Sequence, residues 1–378
     1  MSTVLTDHHL RVMRLRAQML TGPPAEDAGR AVLGAAGLQA QDVRAVRLAV
    51  RARTAGLTAG DVRGAVARER SVVCTWAMRG TLHMVAAADV GWLVDLLGPV
   101  YSARGRRRRL ELGIDDCTAE RGLAAIRDVL AGGRALSRAE LVAELAAEGV
   151  PIETEGQAPA HMVAFAAMRG VICRGPERED EEPTYVLLRD WVGPWEPRSP
   201  ESAQAELVRR YLAAYGPATP ADFRAWSGLP ARAVRQGWDS VSGELAEVAT
   251  SAGAAWMLGG TRIPDQADGE PVGEPVGGGP RVRLLGAYDT YLLGHRGRDL
   301  VLPPGYARRI QAGGGVVHPV LLVDGEVVAK WRRERRAGAV AVEPFTRLAP
   351  AVLTELEKEV ADLGRFLEMS TNLQVADS

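Results

Sequence analysis

Lysine is almost missing from this chain. Of the 46 basic residues only Lys330 and Lys358 are lysines, so arginine carries nearly all the positive charge. Amine nucleophiles for Schiff-base chemistry are therefore confined to two positions near the C-terminus. Cysteine is scarce too: Cys74, Cys117 and Cys173 are odd in number and have no close Cys or His companion, which speaks against a disulfide framework and a zinc site. The first twenty residues lack the long apolar core of a secretion signal, and no apolar run approaches the length of a membrane span; a cytoplasmic setting with no membrane partner is the expectation. The four phenylalanines and eight tryptophans are scattered, so no base-stacking platform is visible. Trp76, Trp226 and Trp331 read as core anchors.

What is present is an ordinary globular balance, with 47% hydrophobic and 25% charged residues over 378 positions, enough for two or three compact units. The formal net charge of -1 excludes a uniformly basic protein but leaves room for a local basic groove. A GC-rich genome accounts for the abundance of arginine, alanine, glycine and valine. It does not account for the clustering of the arginines.

Three stretches repeat one outline, helices followed by a hairpin, at a spacing too irregular for a solenoid. In the first, residues 26–36, 42–53 and 59–69 read as helices and 71–85 as two strands around Arg79-Gly80. In the second, helices 119–130, 137–148 and 158–169 precede strands 170–174 and 184–188; Ser137 with Glu140 makes an N-cap, and the acidic turn 177–182 is the wing tip. In the third, helix 203–215 breaks at Gly216-Pro217, a helix capped by Thr219 opens with Pro220, and helix 230–238 leads into strands 245–249 and 255–258. Segment 265–280, rich in glycine, proline and acid, reads as a mobile loop. Beyond it, 282–285, 300–302, 316–323, 326–332 and 339–342 read as strands, with Asp324-Gly325 as a hairpin turn, and 350–368 as an amphipathic helix. The expected fold is thus α+β, mainly α: three tandem winged helix-turn-helix units plus a C-terminal small β-barrel or hairpin region. The expected boundaries are 1–115 (an N-terminal helix and the first unit), 116–198, 199–263, a loop at 264–281, a β-strand region at 282–348, and a helix and tail at 349–378.

The run Gly37-Leu38-Gln39-Ala40-Gln41-Asp42 sets two uncharged amides one residue apart. Glutamine is no base near neutral pH, so such a pair can assist hydrolysis only where the leaving group is already activated. Taken alone, the motif reads first as a solvated loop before a helix, with Asp42 as that helix's N-cap. Its context is richer. Arg44, Arg47 and Arg51 follow at i, i+3 and i+7 beside an apolar stripe of Val43, Val46 and Val50, and Arg106, Arg107, Arg108 and Arg109 form a run that repels itself unless solvated or neutralised by a polyanion. Either these are solvated helix faces or they meet nucleic-acid phosphate.

With these residues in hand, the sequence resembles the tandem winged-helix DNA glycosylases typified by AlkZ and YcaQ, over nearly the whole chain. The resemblance is carried by Gly37-Leu38-Gln39-Ala40-Gln41, by Trp76-Ala77-Met78-Arg79-Gly80-Thr81-Leu82-His83, and by Arg210-Tyr211 through Trp226-Ser227-Gly228. Tyr288-Asp289-Thr290-Tyr291-Leu292-Leu293-Gly294-His295-Arg296 and Val323-Asp324-Gly325 through Trp331-Arg332-Arg333 complete it. It implies that Gln39 and Gln41 are the catalytic pair of the AlkZ type, which has Gln at both positions where the YcaQ type has Asp at the second. It also implies a concave DNA-binding surface and a C-terminal hairpin that penetrates the DNA, which is assigned to Gly294-His295-Arg296-Gly297-Arg298. The expected DNA contacts are Arg44, Arg47, Arg51, Arg79, Arg106, Arg107, Arg108, Arg109, His295, Arg296 and Arg298; His83 reads as structural.

The implied chemistry is hydrolysis of the N-glycosidic bond of cationic N7-alkylguanine in double-stranded DNA, by a monomeric enzyme with no metal or cofactor, associated with the nucleoid. An N7-alkylated guanine is a poised leaving group, so two amides need only hold a water and stabilise charge on the sugar. Without a lysine near the motif, no coupled lyase step is expected. Bulky adducts and interstrand crosslinks of DNA-alkylating natural products belong to the expected range, with self-resistance as the biological role and general alkylation repair behind it. The rival reading is a winged-helix transcriptional regulator without catalysis; third helices 158–169 and 230–238 are sparse in base-reading side chains and look like scaffold.

Overall fold

The computed structural model describes residues 3–264, 279–334 and 338–376. Most of the expected mobile loop, 265–278, lies outside the described residues. Local sequence explains the helix starts. Asp42 caps Val43–Arg51 by accepting from the N–H groups of Arg44 and Ala45 at 2.8 and 3.0 Å. Thr58 with Asp61, Ser137 with Glu140, and Thr219 with Asp222 form reciprocal capping boxes, each satisfying two orphan donors of a helix start.

Ala28–Gly34, Val43–Arg51 and Ala59–Ala67 are followed by strands Val72–Trp76 and Leu82–Ala86. Next come Asp116–Leu130, Arg138–Ala147 and Ala158–Met168 with strands Ile172–Glu177 and Pro183–Leu187. Pro200–Tyr215, Pro220–Ser227 and Ala231–Ser240 precede Leu245–Thr250 and Gly253–Leu258. The first two hairpins lie edge to edge in one six-stranded sheet, joined where Cys74 pairs with Arg174. The third hairpin gains Thr3–Val4 as a parallel third strand.

The long helix Ala87–Arg104 went unread in the sequence because it is buried on several sides and shows no amphipathic stripe. It is the spine of the molecule. Gly98 lets it touch the next layer, since a Cβ there would come within 1.9 Å of the Met168 carbonyl.

The C-terminal sheet runs in the order Val282–Leu285, Val320–Val323, Glu326–Arg333, Ala339–Pro344, Asn372–Val375, and Pro350–Leu367 packs on it. Asp324 and Gly325 both have positive φ, 49° and 83°, the geometry a two-residue hairpin turn needs. Two expectations fail here. Residues 300–302 form a turn, not a strand; Val301 and Leu302 are buried for packing alone. The strand expected over 316–323 begins only at Val320. Trp226 and Trp331 are core residues, whereas Trp76 is only partly buried.

Candidate active site

The two glutamines meet through their side chains. Leu38–Gln39 is a short strand on the edge of Leu82–Ala86, with Gln39 opposite His83 and His83 opposite Thr75, so the three side chains share one face of the sheet. Ala40 holds the register by donating to the Leu82 carbonyl at 2.8 Å. Gln39 is 7% exposed, while Gln41, just past the strand, is solvent-exposed. The Gln39 amide donates to Gln41 Oε1 at 2.6 Å.

Arg79, at the tip of the first hairpin, completes the arrangement. Its Nη2 donates to Gln39 Oε1 at 2.7 Å and its Nη1 to the Trp226 carbonyl at 2.8 Å. Its own N–H donates to Tyr101 Oη at 2.7 Å, and that hydroxyl donates to the Ser227 carbonyl. Gly228, at φ 70°, ends the helix beneath; a Cβ there would lie 2.5 Å from Tyr101 Oη and 3.2 Å from Arg79 Cα. The Trp226-Ser227-Gly228 turn thus reaches the site because its last residue has no side chain.

Among the described residues no acid side chain is hydrogen-bonded to the pair. Burial, with the Arg79 charge behind it, pushes His83 down to about 3, so it is neutral at physiological pH. Its Nδ1 faces the Thr81 carbonyl at 2.9 Å. Asp42 is occupied as a helix cap. Burial also lowers the Arg79 guanidinium, and the nearby cation of Arg298 adds to the effect; among the described residues no carboxylate pairs with Arg79. No group of three or more His, Cys, Asp or Glu able to hold a metal occurs among the described residues, and no described helix is long and apolar enough to cross a membrane.

The arginine stripe turns out differently from its reading as a phosphate-facing row. Arg47 is buried and bound to Glu177 and to Glu181, the latter at 2.6 Å; Arg44 reaches the same Glu181. Arg51 is buried and paired with Glu359 at 2.7 Å and Asp362 at 2.8 Å. Arg53, missed in the sequence, makes a fully buried bidentate pair with Asp289 at 2.8 and 2.9 Å. The spacing that suggested a solvated face instead orders cations against acids 130 or more positions away, which no local pattern could disclose. Arg47 and Arg51 are structural cations.

The run at 106–109 divides. Arg109 is buried, donates to the Ser102 carbonyl at 2.9 Å and stacks over Phe165 at 4.0 Å, so it leaves the set of DNA-facing residues. Arg106 pairs with Asp116 at 2.6 Å and Arg108 with Glu111 at 3.0 Å, both at the surface. Arg107 is 90% exposed. The segment Gly294-His295-Arg296-Gly297-Arg298 is an irregular turn and not a β-hairpin. His295 is held by the Tyr215 carbonyl at 3.0 Å and packs edge-on against that ring, and burial pushes it to about 3. It belongs to the scaffold. Arg298 donates to the Leu292 carbonyl at 2.6 Å and is half-buried, while the Arg296 side chain is exposed.

The structure thus places at Gln39 and Gln41 a hydrogen-bonded amide pair on a sheet edge, backed by a guanidinium. A family model described as DNA glycosylase AlkZ-like matches residues 32–366. An interstrand DNA cross-link repair glycosylase of Streptomyces sahachiroi is 30% identical over 372 residues, covering 94% of each chain. The solved structure of Streptomyces sahachiroi DNA glycosylase AlkZ superposes with a TM-score of 0.81 at 25% identity, covering 99% of this chain and 100% of that one. The chain belongs to the AlkZ-like DNA glycosylase family, and it is a DNA glycosylase, a hydrolase of N-glycosyl bonds.

Proposed function

We propose that this glycosylase removes cationic N7-alkylguanine from double-stranded DNA, bulky adducts and interstrand crosslinks included, and leaves an abasic site. The observation that carries this reading is that, among the described residues, no general acid stands beside Gln39 and Gln41: His83 is held neutral and Asp42 is committed to its helix. A neutral base leaves poorly without protonation, whereas alkylation at N7 places the positive charge on the base beforehand. The glutamines then act by dipole and hydrogen bond, holding a water opposite the base and easing charge on the sugar. The crosslink part is supported by the S. sahachiroi relative named for that repair.

In this reading the three helix-and-hairpin stretches are tandem winged-helix units, joined to the C-terminal sheet at about the boundaries set out above. They present a concave surface on which a monomer grips one duplex. Its phosphate contacts come from the half-exposed Arg44 and the exposed Arg106, Arg107, Arg108 and Arg296. The two lysines are remote in sequence from the motif, so no covalent lyase step follows excision. The biological role is self-resistance to a DNA-alkylating metabolite.

The test is incubation with duplex DNA carrying one N7-methylguanine or one crosslink, followed by alkaline cleavage. Strand cleavage that depends on alkali supports a monofunctional glycosylase. Cleavage without alkali refutes the monofunctional part, and intact substrate refutes the assignment to N7-alkylguanine.

A further inference from the structure

We propose that Arg79 is a positioning residue that fixes Gln39 and Gln41 as a one-way hydrogen-bond relay, so that Gln41 alone meets the reacting sugar and water. The inference rests on the reading of the glutamine pair as catalytic.

The direction of the relay follows from donor chemistry. A guanidinium has five N–H donors and no acceptor, so the Gln39 atom that faces Arg79 at 2.7 Å must be the carbonyl oxygen. The Gln39 nitrogen is then left toward Gln41, and since that amide nitrogen only donates, Gln41 must answer with its own carbonyl oxygen at 2.6 Å. One cation therefore decides the orientation of both amides. Gln41 keeps its N–H donors and a second lone pair for the DNA, and those donors are sharpened because its oxygen is already accepting. Gln39, buried and engaged at both ends, has little left to offer a substrate.

Arg79 is itself held on every side. It sits at φ 57°, a conformation that favours glycine, yet its N–H is tied to Tyr101 and its Nη1 to Trp226. Its two terminal nitrogens each hold one acceptor, on different elements, and this fixes the plane of the guanidinium. The anchors come from the Ala87–Arg104 helix and the Pro220–Ser227 helix, which couples the amides to distant parts of the chain.

A double-mutant cycle in single-turnover excision of N7-methylguanine tests this. Arg79→Lys, which cannot span both acceptors, is expected to slow excision on the order of a hundredfold with near-normal DNA affinity. In the Gln39→Ala background the same change should cause no further loss, because the group it acts through is gone. Additive losses, or weaker binding with a shallower salt dependence, would make Arg79 a phosphate ligand and overturn the proposal. If Gln39→Ala alone leaves the rate intact, the catalytic reading falls instead, and the two failures are told apart. Should Arg79→Lys fail to fold, Gln39→Glu decides: it keeps an acceptor for Arg79 but has no donor for Gln41, so a loss as large as that of Gln39→Ala is expected, and a wild-type rate would refute the relay.

Discussion

Arg53 and Arg79 both belong to the first helix-and-hairpin stretch, and they are handled in opposite ways. Arg53 ends on a carboxylate brought in from elsewhere in the chain, as do Arg47 and Arg51. Arg79 ends on two neutral carbonyl oxygens. The charge of Arg53 is matched within the fold, whereas Arg79, on neutral acceptors, keeps an unneutralised field beside the two glutamines. Arginine clustering in sequence does not distinguish the two; the acid partners do.

The sharpest way to break the comparison is Arg53→Met. It leaves Asp289 buried and unpaired, and a loss of about 3–5 kcal/mol is expected, read as a fall in the urea midpoint. Replacing both partners, Arg53→Met with Asp289→Leu, should restore much of it; a single substitution costing nothing would deny the pair its structural role. At the site, Gln41→Ala and Gln39→Ala should each slow single-turnover excision by about 10²–10³, with binding to the same duplex retained.

A smaller effect separates an exposed arginine from a buried one. Arg107→Gln should leave the thermal midpoint in place and reduce the salt slope of DNA binding by about 1. Arg47→Gln should do the reverse, lowering the midpoint without altering that slope. Swapped outcomes would mean that the buried helix opens on DNA.

The smallest effect is a pH dependence. His83 is held at about 3 by burial, below its ordinary 6.5, so the unfolded chain binds the proton more readily. Its contribution is present above pH 6.5 and is lost as pH falls from there toward 3, by up to about 1.4 kcal/mol per pH unit. A His83→Gln variant should show a correspondingly flatter loss of thermal stability between pH 6.5 and 5. Excision itself should not follow this titration, because the ring is neutral throughout that range.

Elements whose causes are local were legible. The Ser137 and Thr219 caps, the Asp324-Gly325 turn and the Gln39-Ala40-Gln41 spacing all depend on residues within a few positions of one another. What escaped depends on distant pairing. The Ala87–Arg104 helix has no stripe because it is enclosed by several layers, and the role of Arg79 is set by Trp226 and Tyr101, which stand 147 and 22 positions away. The turn at 294–298 misled because a histidine beside arginines looks like a groove reader, whereas His295 is spent on Tyr215.

The acidic turn of the second hairpin, resting on Arg44 and Arg47, has a kinetic consequence. Glu181 holds the half-exposed Arg44 and, with Glu177, the buried Arg47, so a phosphate that reaches Arg44 exchanges partners and releases few counterions. A shallow salt dependence of DNA binding at this face is the expected consequence. For a DNA glycosylase that must pass over a vast excess of intact bases, short residence at such a face would shorten the search.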